Sequence, residues 1–249
     1  MSQDLFVPPP SHVPQIADCS FYHVMSLPGH GIVGEQWDLR GRVDDYLGHV
    51  SLGGKRVLEI GPASGFLTVE MERLGATVVA VDVQEDPGWD YVPYPAAAFD
   101  SFLPARKILL RQVRNSFWLV HHLFHSQAKV WYGDTYQMPD ALGHFDVAVI
   151  AAVLLHTRSP VALLEQCARR ADMLIITEPC YDELEGRPIC RLNPTPENRS
   201  FGGWWHLTSD FIRQFVAVMG FTDVAVTRHM QRYHRTATDT PMFTVVARR

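Results

Sequence analysis

A chain of 249 residues that is 47% hydrophobic and 20% charged can bury one large α/β core with elaborations, and it holds no apolar run near the ~20 residues of a membrane span. Its formal net charge of −5 argues against a nucleic-acid binder that depends on a strong basic field. Residues 1–10 lack the basic and apolar segments of a secretory signal, so a cytoplasmic protein is expected. The cysteines, Cys19, Cys167, Cys180 and Cys190, form no Cys-x-x-Cys pair, which points to neither a zinc site nor a disulfide framework.

In chain order, the proline-rich first 20 residues read as an extended arm. Phe21 to Val24, Leu27 to Gly31 and Trp37 to Arg40 then mix aromatics, histidines and turn residues, a composition that suits a pocket wall. A short helix over 42–50 precedes the turn at Gly53-Gly54. Strand Arg56–Ile60, a helix over 65–74 and strand Thr77–Asp82 follow. The chain next spends an elaborated crossover that contains a helix over 105–126, with Ile108, Val113, Phe117, Val120 and Phe124 on or near one side. Strands Lys129–Tyr132 and Phe145–Ala151, a helix over 161–170 and a strand over 173–178 complete the middle. Residues 179–207, rich in Pro and Gly, read as a lid loop. A helix over 210–219, capped by Thr208 or Ser209 and stopped by Gly220, leads to strands over 222–227 and 242–247. The domain reading is an arm and substrate cap over 1–50, then a cofactor-binding domain over 51–249 with a helical insertion over about 84–128.

The densest signal is Arg56-Val57-Leu58-Glu59-Ile60-Gly61-Pro62-Ala63-Ser64-Gly65, followed by Thr77-Val78-Val79-Ala80-Val81-Asp82. It reads as strand, turn, helix and a second strand ending on an acid able to accept hydrogen bonds from a ribose diol. The spacing Glu59-x-Gly61-x-x-x-Gly65 departs from the G-x-G-x-x-G of a dinucleotide site, which weakens a pyrophosphate reading. On the residues alone, an NAD-dependent oxidoreductase and a plain βα turn with Asp82 as a helix cap remain alternatives.

These residues resemble motif I of the class I S-adenosylmethionine-dependent methyltransferases. The resemblance continues through Asp82, through Gly133-Asp134-Thr135 and through the strand ending at Ala151-Ala152. It implies a Rossmann-like, seven-stranded, mostly parallel sheet with an antiparallel last strand, and S-adenosyl-L-methionine as cofactor. It also implies that Glu59, Gly61 and Gly65 frame the methionine part, Asp82 binds the ribose, Val83 or Gln84 flanks the adenine, Asp134 and Thr135 meet its amino group, and Ala151 and Ala152 leave room for the methionine chain.

Acceptor chemistry belongs beyond the ends of the fourth and fifth strands and in the caps. His156, Tyr22, His23 and His206 are the candidate catalytic residues, and Glu178, Trp204 and Trp205 the candidate substrate contacts. His121, His122 and His125 have helical spacing but no adjacent acid or cysteine, so no metal is expected. A narrower likeness, carried by Tyr22-His23, the segment Val113 to Trp118, the segment Leu154 to Pro160 and Trp204-Trp205-His206, is to the branch holding the tRNA wobble-uridine 5-carboxymethoxyuridine-forming enzyme and related small-molecule methyltransferases. The expected activity is methyl transfer to an O or N of a small organic metabolite. The alternatives are tRNA modification by methyl or carboxymethyl transfer, with Arg228, Arg232 and Arg235 as a basic stretch, and a non-catalytic cofactor-binding protein.

Overall fold

The computed structural model describes residues 5–84, 89–100 and 102–249. Residues 1–4 of the expected arm, and 85–88 and 101 of the expected insertion, lie outside the described residues. The N-terminal part holds a small hairpin of β1 (Met25–Leu27) and β2 (Gly31–Val33), then β3 (Trp37–Asp38) and the one-turn α1 (Val43–Tyr46). The core follows as β4 (Arg56–Ile60), α2 (Phe66–Arg73), β5 (Thr77–Asp82), α3 (Phe102–Leu123), β6 (Lys129–Tyr132), β7 (Phe145–Ala151), α4 (Pro160–Ala168) and β8 (Ala171–Pro179). A second small hairpin, β9 (Cys190–Leu192) with β10 (Trp205–Leu207), interrupts the segment expected to be an irregular loop. The chain ends with α5 (Ser209–Val218), β11 (Asp223–Tyr233) and β12 (Thr238–Arg248).

The main sheet has eight strands in the order β3-β11-β12-β8-β7-β4-β5-β6. β6, β5, β4, β7 and β8 are mutually parallel, and β12 runs antiparallel to β8. Seven of the strands follow the expected pattern, with the antiparallel last strand. The eighth, β3, pairs with the far end of β11 because the β11–β12 hairpin runs to Tyr233 and Thr238, beyond the reach of its neighbours. The strands over 222–227 and 242–247 are thus the base of a longer ribbon.

Alternation along the parallel strands makes two cores. Leu58, Ile60, Ala148 and Ile150 face α4 and α5, where Leu163, Leu164, Ile212 and Val216 are fully buried. Val57, Val147 and Val149 face the other way, onto Phe66, Val69 and Met71 of α2 and Leu119 and Val120 of α3. Covering both faces is what a parallel sheet requires, and each large side chain so buried contributes ~1.5–3 kcal/mol. Helix ends are set locally. Ser159 accepts from the Ala162 N–H with Pro160 at the first helical position, and Thr208 accepts from the Phe211 N–H. On α3, Ile108 is 49% exposed, so the buried seam runs through Phe117, Leu119 and Val120 and not through Ile108.

The strand order reverses between β4 and its two parallel neighbours, β5 and β7. Such a switch point opens a crevice at the carboxyl ends of the strands.

Candidate active site

The turn after β4 shapes the floor of that crevice. Gly61 donates its N–H to the Val81 carbonyl and has a φ of 70°; a Cβ there would stand 2.9 Å from Val153. Glycine is therefore required both by conformation and by space. Ala63 and Ala152, on the two loops that flank the crevice, also adopt positive φ values, 48° and 53°. Left-handed non-glycine backbone is costly and gathers at functional sites. Ser64, fully buried, accepts from the N–H groups of Tyr22 and His23, so the motif turn itself holds the N-terminal segment over the cleft.

The cleft has a volume of about 290 Å³. Its floor includes Gly61, Asp82, Ala151 and Ala152, and Thr135 borders it. Asp82 ends β5, accepts from the Val83 N–H at 2.8 Å, and has its carboxyl pushed up to about 6 by burial, partly offset by that hydrogen bond and by Arg114. Tyr22, His23, Gln36 and Trp37 form one wall. His23 is buried against Tyr22 and Phe66, its Nδ1 has no partner, and burial pulls its pKa down to about 4. The opposite wall is one face of α3: Arg106, Leu109, Leu110, Val113 and Arg114 recur at helical spacing. His156, on the turn after β7, lines the cleft with its ring 5.4 Å from that of Trp89. Its Nδ1 lies 2.6 Å from the Gly202 carbonyl oxygen, and burial lowers its pKa.

Other residues expected at the site lie outside the cleft lining, each for a physical reason. Glu59 is buried beneath the turn, where it accepts from the Thr68 hydroxyl at 2.5 Å and is pushed up to about 8 by burial. Gly65 caps α2 at a φ of 85°, and a Cβ there would come within 3.2 Å of Phe117, so it serves the packing of α2 against α3. Asp134 accepts from the Tyr136 N–H on one carboxylate oxygen and from the Gln137 side-chain amide on the other, forming a local cap. Glu178 is buried behind the loop after β7, with Oε1 accepting from the Leu154 N–H and Oε2 unpaired. Trp204 donates to the Asp90 carbonyl and Trp205 to the Thr157 carbonyl, so both anchor neighbouring loops from outside. His206 is turned away: it pairs with Arg191 and stacks on Tyr181. Of the histidines on α3, His121 meets the Ala128 carbonyl.

Trp89, Asp90, Arg106 and Tyr46 line the cleft without having been singled out by motif. The i, i+3, i+4 pattern of α3 was the available signal, but the apolar seam through Phe117 and Val120 dominates it.

A family model described as a methyltransferase domain matches residues 38–236. The chain belongs to this family. It carries a methyltransferase domain, and its fold matches that of methyltransferases solved with S-adenosylmethionine or S-adenosylhomocysteine. The N-terminal domain of EvdMO1, solved in the presence of S-adenosylhomocysteine and D-fucose, is 18% identical, with 90% of this chain and 89% of that one covered at a TM-score of 0.56. Magnesium protoporphyrin IX methyltransferase from Synechocystis PCC 6803, solved with bound S-adenosylmethionine, is 16% identical over 85% of this chain and 78% of that one, at 0.50. A methyltransferase from Methanosarcina mazei is also 16% identical, over 85% and 98%, at 0.51. In sequence, the ubiquinone biosynthesis O-methyltransferase of Nitrosococcus oceani is 44% identical over 46 residues, 18% of this chain and 20% of that protein. The chain thus spans about a fifth of that curated relative in the match.

The cleft fits the methyltransferase cofactor on its own geometry. The Gly61 turn permits close backbone approach, Ala151 and Ala152 leave space beside it, and Asp82 places acceptor oxygens at the end of β5.

Proposed function

We propose that this methyltransferase acts on an oxygen or nitrogen of a small organic acceptor, with His156 as the base. The observation that carries the reading is the hydrogen bond at His156. A carbonyl oxygen can only accept, so Nδ1 carries the proton, and Nε2 is left as the lone-pair nitrogen of a ring that lines the cleft. Burial keeps that ring neutral at pH 7.

Asp82 would hold the ribose hydroxyls, Gly61 and Ala151 the methionine chain, and Val83 and Thr135 the adenine. S-adenosylmethionine supplies a methyl group already activated on a sulfonium. The protein's own part is to align the acceptor, exclude water and take the acceptor's proton on His156 Nε2, steps typically worth ~10²–10⁴-fold for the base alone. Residues 21–37 act as the cap through Tyr22, His23 and Trp37, and the 179–207 segment contributes to closure through Gly202.

A small acceptor is supported by the size of the cleft and by the small-molecule enzymes among the relatives. The tRNA alternative has less support, because Arg228 is paired with Asp182 and Glu185, and Arg232 with Asp239. Incubation with labelled S-adenosylmethionine and a metabolite extract, followed by mass spectrometry, tests the reading. A methylated small molecule is expected. Label appearing only in tRNA nucleosides, with binding that collapses as salt rises, would replace it.

A further inference from the structure

Three arginines of α3 line the cleft; Arg111 is exposed, and Arg106 and Arg114 stand in different surroundings. Arg114 is committed: Nη2 donates to the Val83 carbonyl at 2.9 Å, and the guanidinium lies 4.1 Å from the centre of the Tyr132 ring. Arg106, two turns earlier, has its guanidinium 4.7 Å from the centre of the Trp89 ring. The Trp89 ring that it covers lies 5.4 Å from the ring of His156, which places Arg106 on the acceptor side of the cleft. Among the described residues Arg106 makes no ion pair.

A half-buried guanidinium over an aromatic face recovers only part of its lost hydration, whereas its planar fork matches a carboxylate. Among the described residues, the neighbouring acids are engaged elsewhere. Asp90 accepts from the Tyr136 hydroxyl and the Arg158 N–H. Glu178 is sealed behind the cleft, bound to the Leu154 N–H.

We propose that the acceptor is an anionic small molecule whose carboxylate is bound by Arg106, with its apolar or aromatic body against Trp89, Leu109 and Leu110 and its nucleophile toward His156. This rests on the acceptor-side reading of the cleft given above. It makes Arg106 the determinant of substrate class, since the neutral analogue of the same shape would leave the guanidinium unpaired.

The test uses the full chain loaded with saturating S-adenosylhomocysteine and matched probe pairs: salicylate with salicylamide, and 4-hydroxybenzoate with 4-hydroxybenzamide. Calorimetry on the wild type should give an acid-over-amide preference of about tenfold or more, as expected for a charge-assisted contact. Arg106→Gln should abolish the preference while leaving S-adenosylhomocysteine affinity within about twofold, and Arg106→Lys should retain part of it. Equal affinity for acid and amide, a preference that survives in Arg106→Gln, or no binding by any probe would each overturn the proposal. So would a loss of S-adenosylhomocysteine binding in Arg106→Gln, which would assign the guanidinium to the cofactor's own carboxylate. Failure of the wild type to bind S-adenosylhomocysteine is a separate result: it would remove the methyltransferase reading on which the proposal stands.

Discussion

At the scale of single residues, the proposed reading assigns binding to Asp82 and chemistry to His156. Removing the Asp82 carboxylate deletes acceptors for the ribose hydroxyls, so Asp82→Ala should weaken S-adenosylhomocysteine by ~1.5–3 kcal/mol in calorimetry. Burial raises this carboxyl to about 6 in the free protein, and hydroxyl donors favour its ionised form. Affinity should therefore increase as pH rises through about 6, and a pH-independent affinity would take Asp82 out of the site. His156→Ala should instead lower kcat with cofactor affinity intact. Because its pKa lies below the ordinary histidine value, the acid limb of the wild-type rate profile should also fall below that value. Both residues were legible in the sequence because each closes or follows a strand whose apolar run fixes its place. Asp134, placed by the family resemblance, and His206, placed by its position in the late loop, lie outside the cleft lining, where the Tyr136 N–H and the Arg191 guanidinium engage them.

Among elements, α3 carries the greatest difference between pattern and function. Its apolar seam reveals a helix, yet the face that meets the cleft begins with Arg106 and ends with Arg114, polar residues that a core-seeking pattern discards. The preceding excursion, with Trp89 and Asp90, has no strand end to pin it, so its residues could not be assigned to the site from sequence. The long β11–β12 ribbon extends beyond the expected strands for a related reason: past Thr227 its residues are mostly polar, and the pairing continues without a continuous apolar face. Two substitutions separate element stability from catalysis. Thr208→Ala removes the α5 cap and should cost about 1 kcal/mol, seen as a Tm lower by ~2–4 °C. Gly65→Ala forces a Cβ into the left-handed region and against Phe117 and Val120. It should cost ~1–3 kcal/mol of stability, while S-adenosylhomocysteine affinity, measured well below Tm, changes by less than in Asp82→Ala. An equal loss of affinity would place Gly65 in the cofactor site after all.

Across the whole molecule, the site leaves an imprint on stability because it buries ionisable groups without full compensation. Glu59 and Glu178 are both pushed from 4.5 up to about 8, chiefly by burial. The folded state therefore holds protons that the unfolded chain releases above pH 4.5, so their contribution is complete below that pH and is lost as pH rises through about 8. Asp82 acts in the same sense over a lower range, ending near 6. His23 runs the other way: its pKa falls from 6.5 to about 4, so its contribution is complete above 6.5 and is lost as pH falls through about 4. Above pH 6.5 the His23 and Asp82 terms are both flat, and the two glutamates carry most of the slope, with the exposed His49, raised by its hydrogen bond to Asp44, adding to it in the same sense. The Tm of the cofactor-free protein should thus decline between pH 6.5 and 8.5. Glu178→Gln can still accept from the Leu154 N–H through its amide oxygen but cannot ionise, so it should roughly halve that decline, one of two similar contributions being removed. A wild-type Tm that stays level over this range, or a slope that Glu178→Gln leaves unchanged, would mean that Glu178 gives up its proton in the fold as readily as in water.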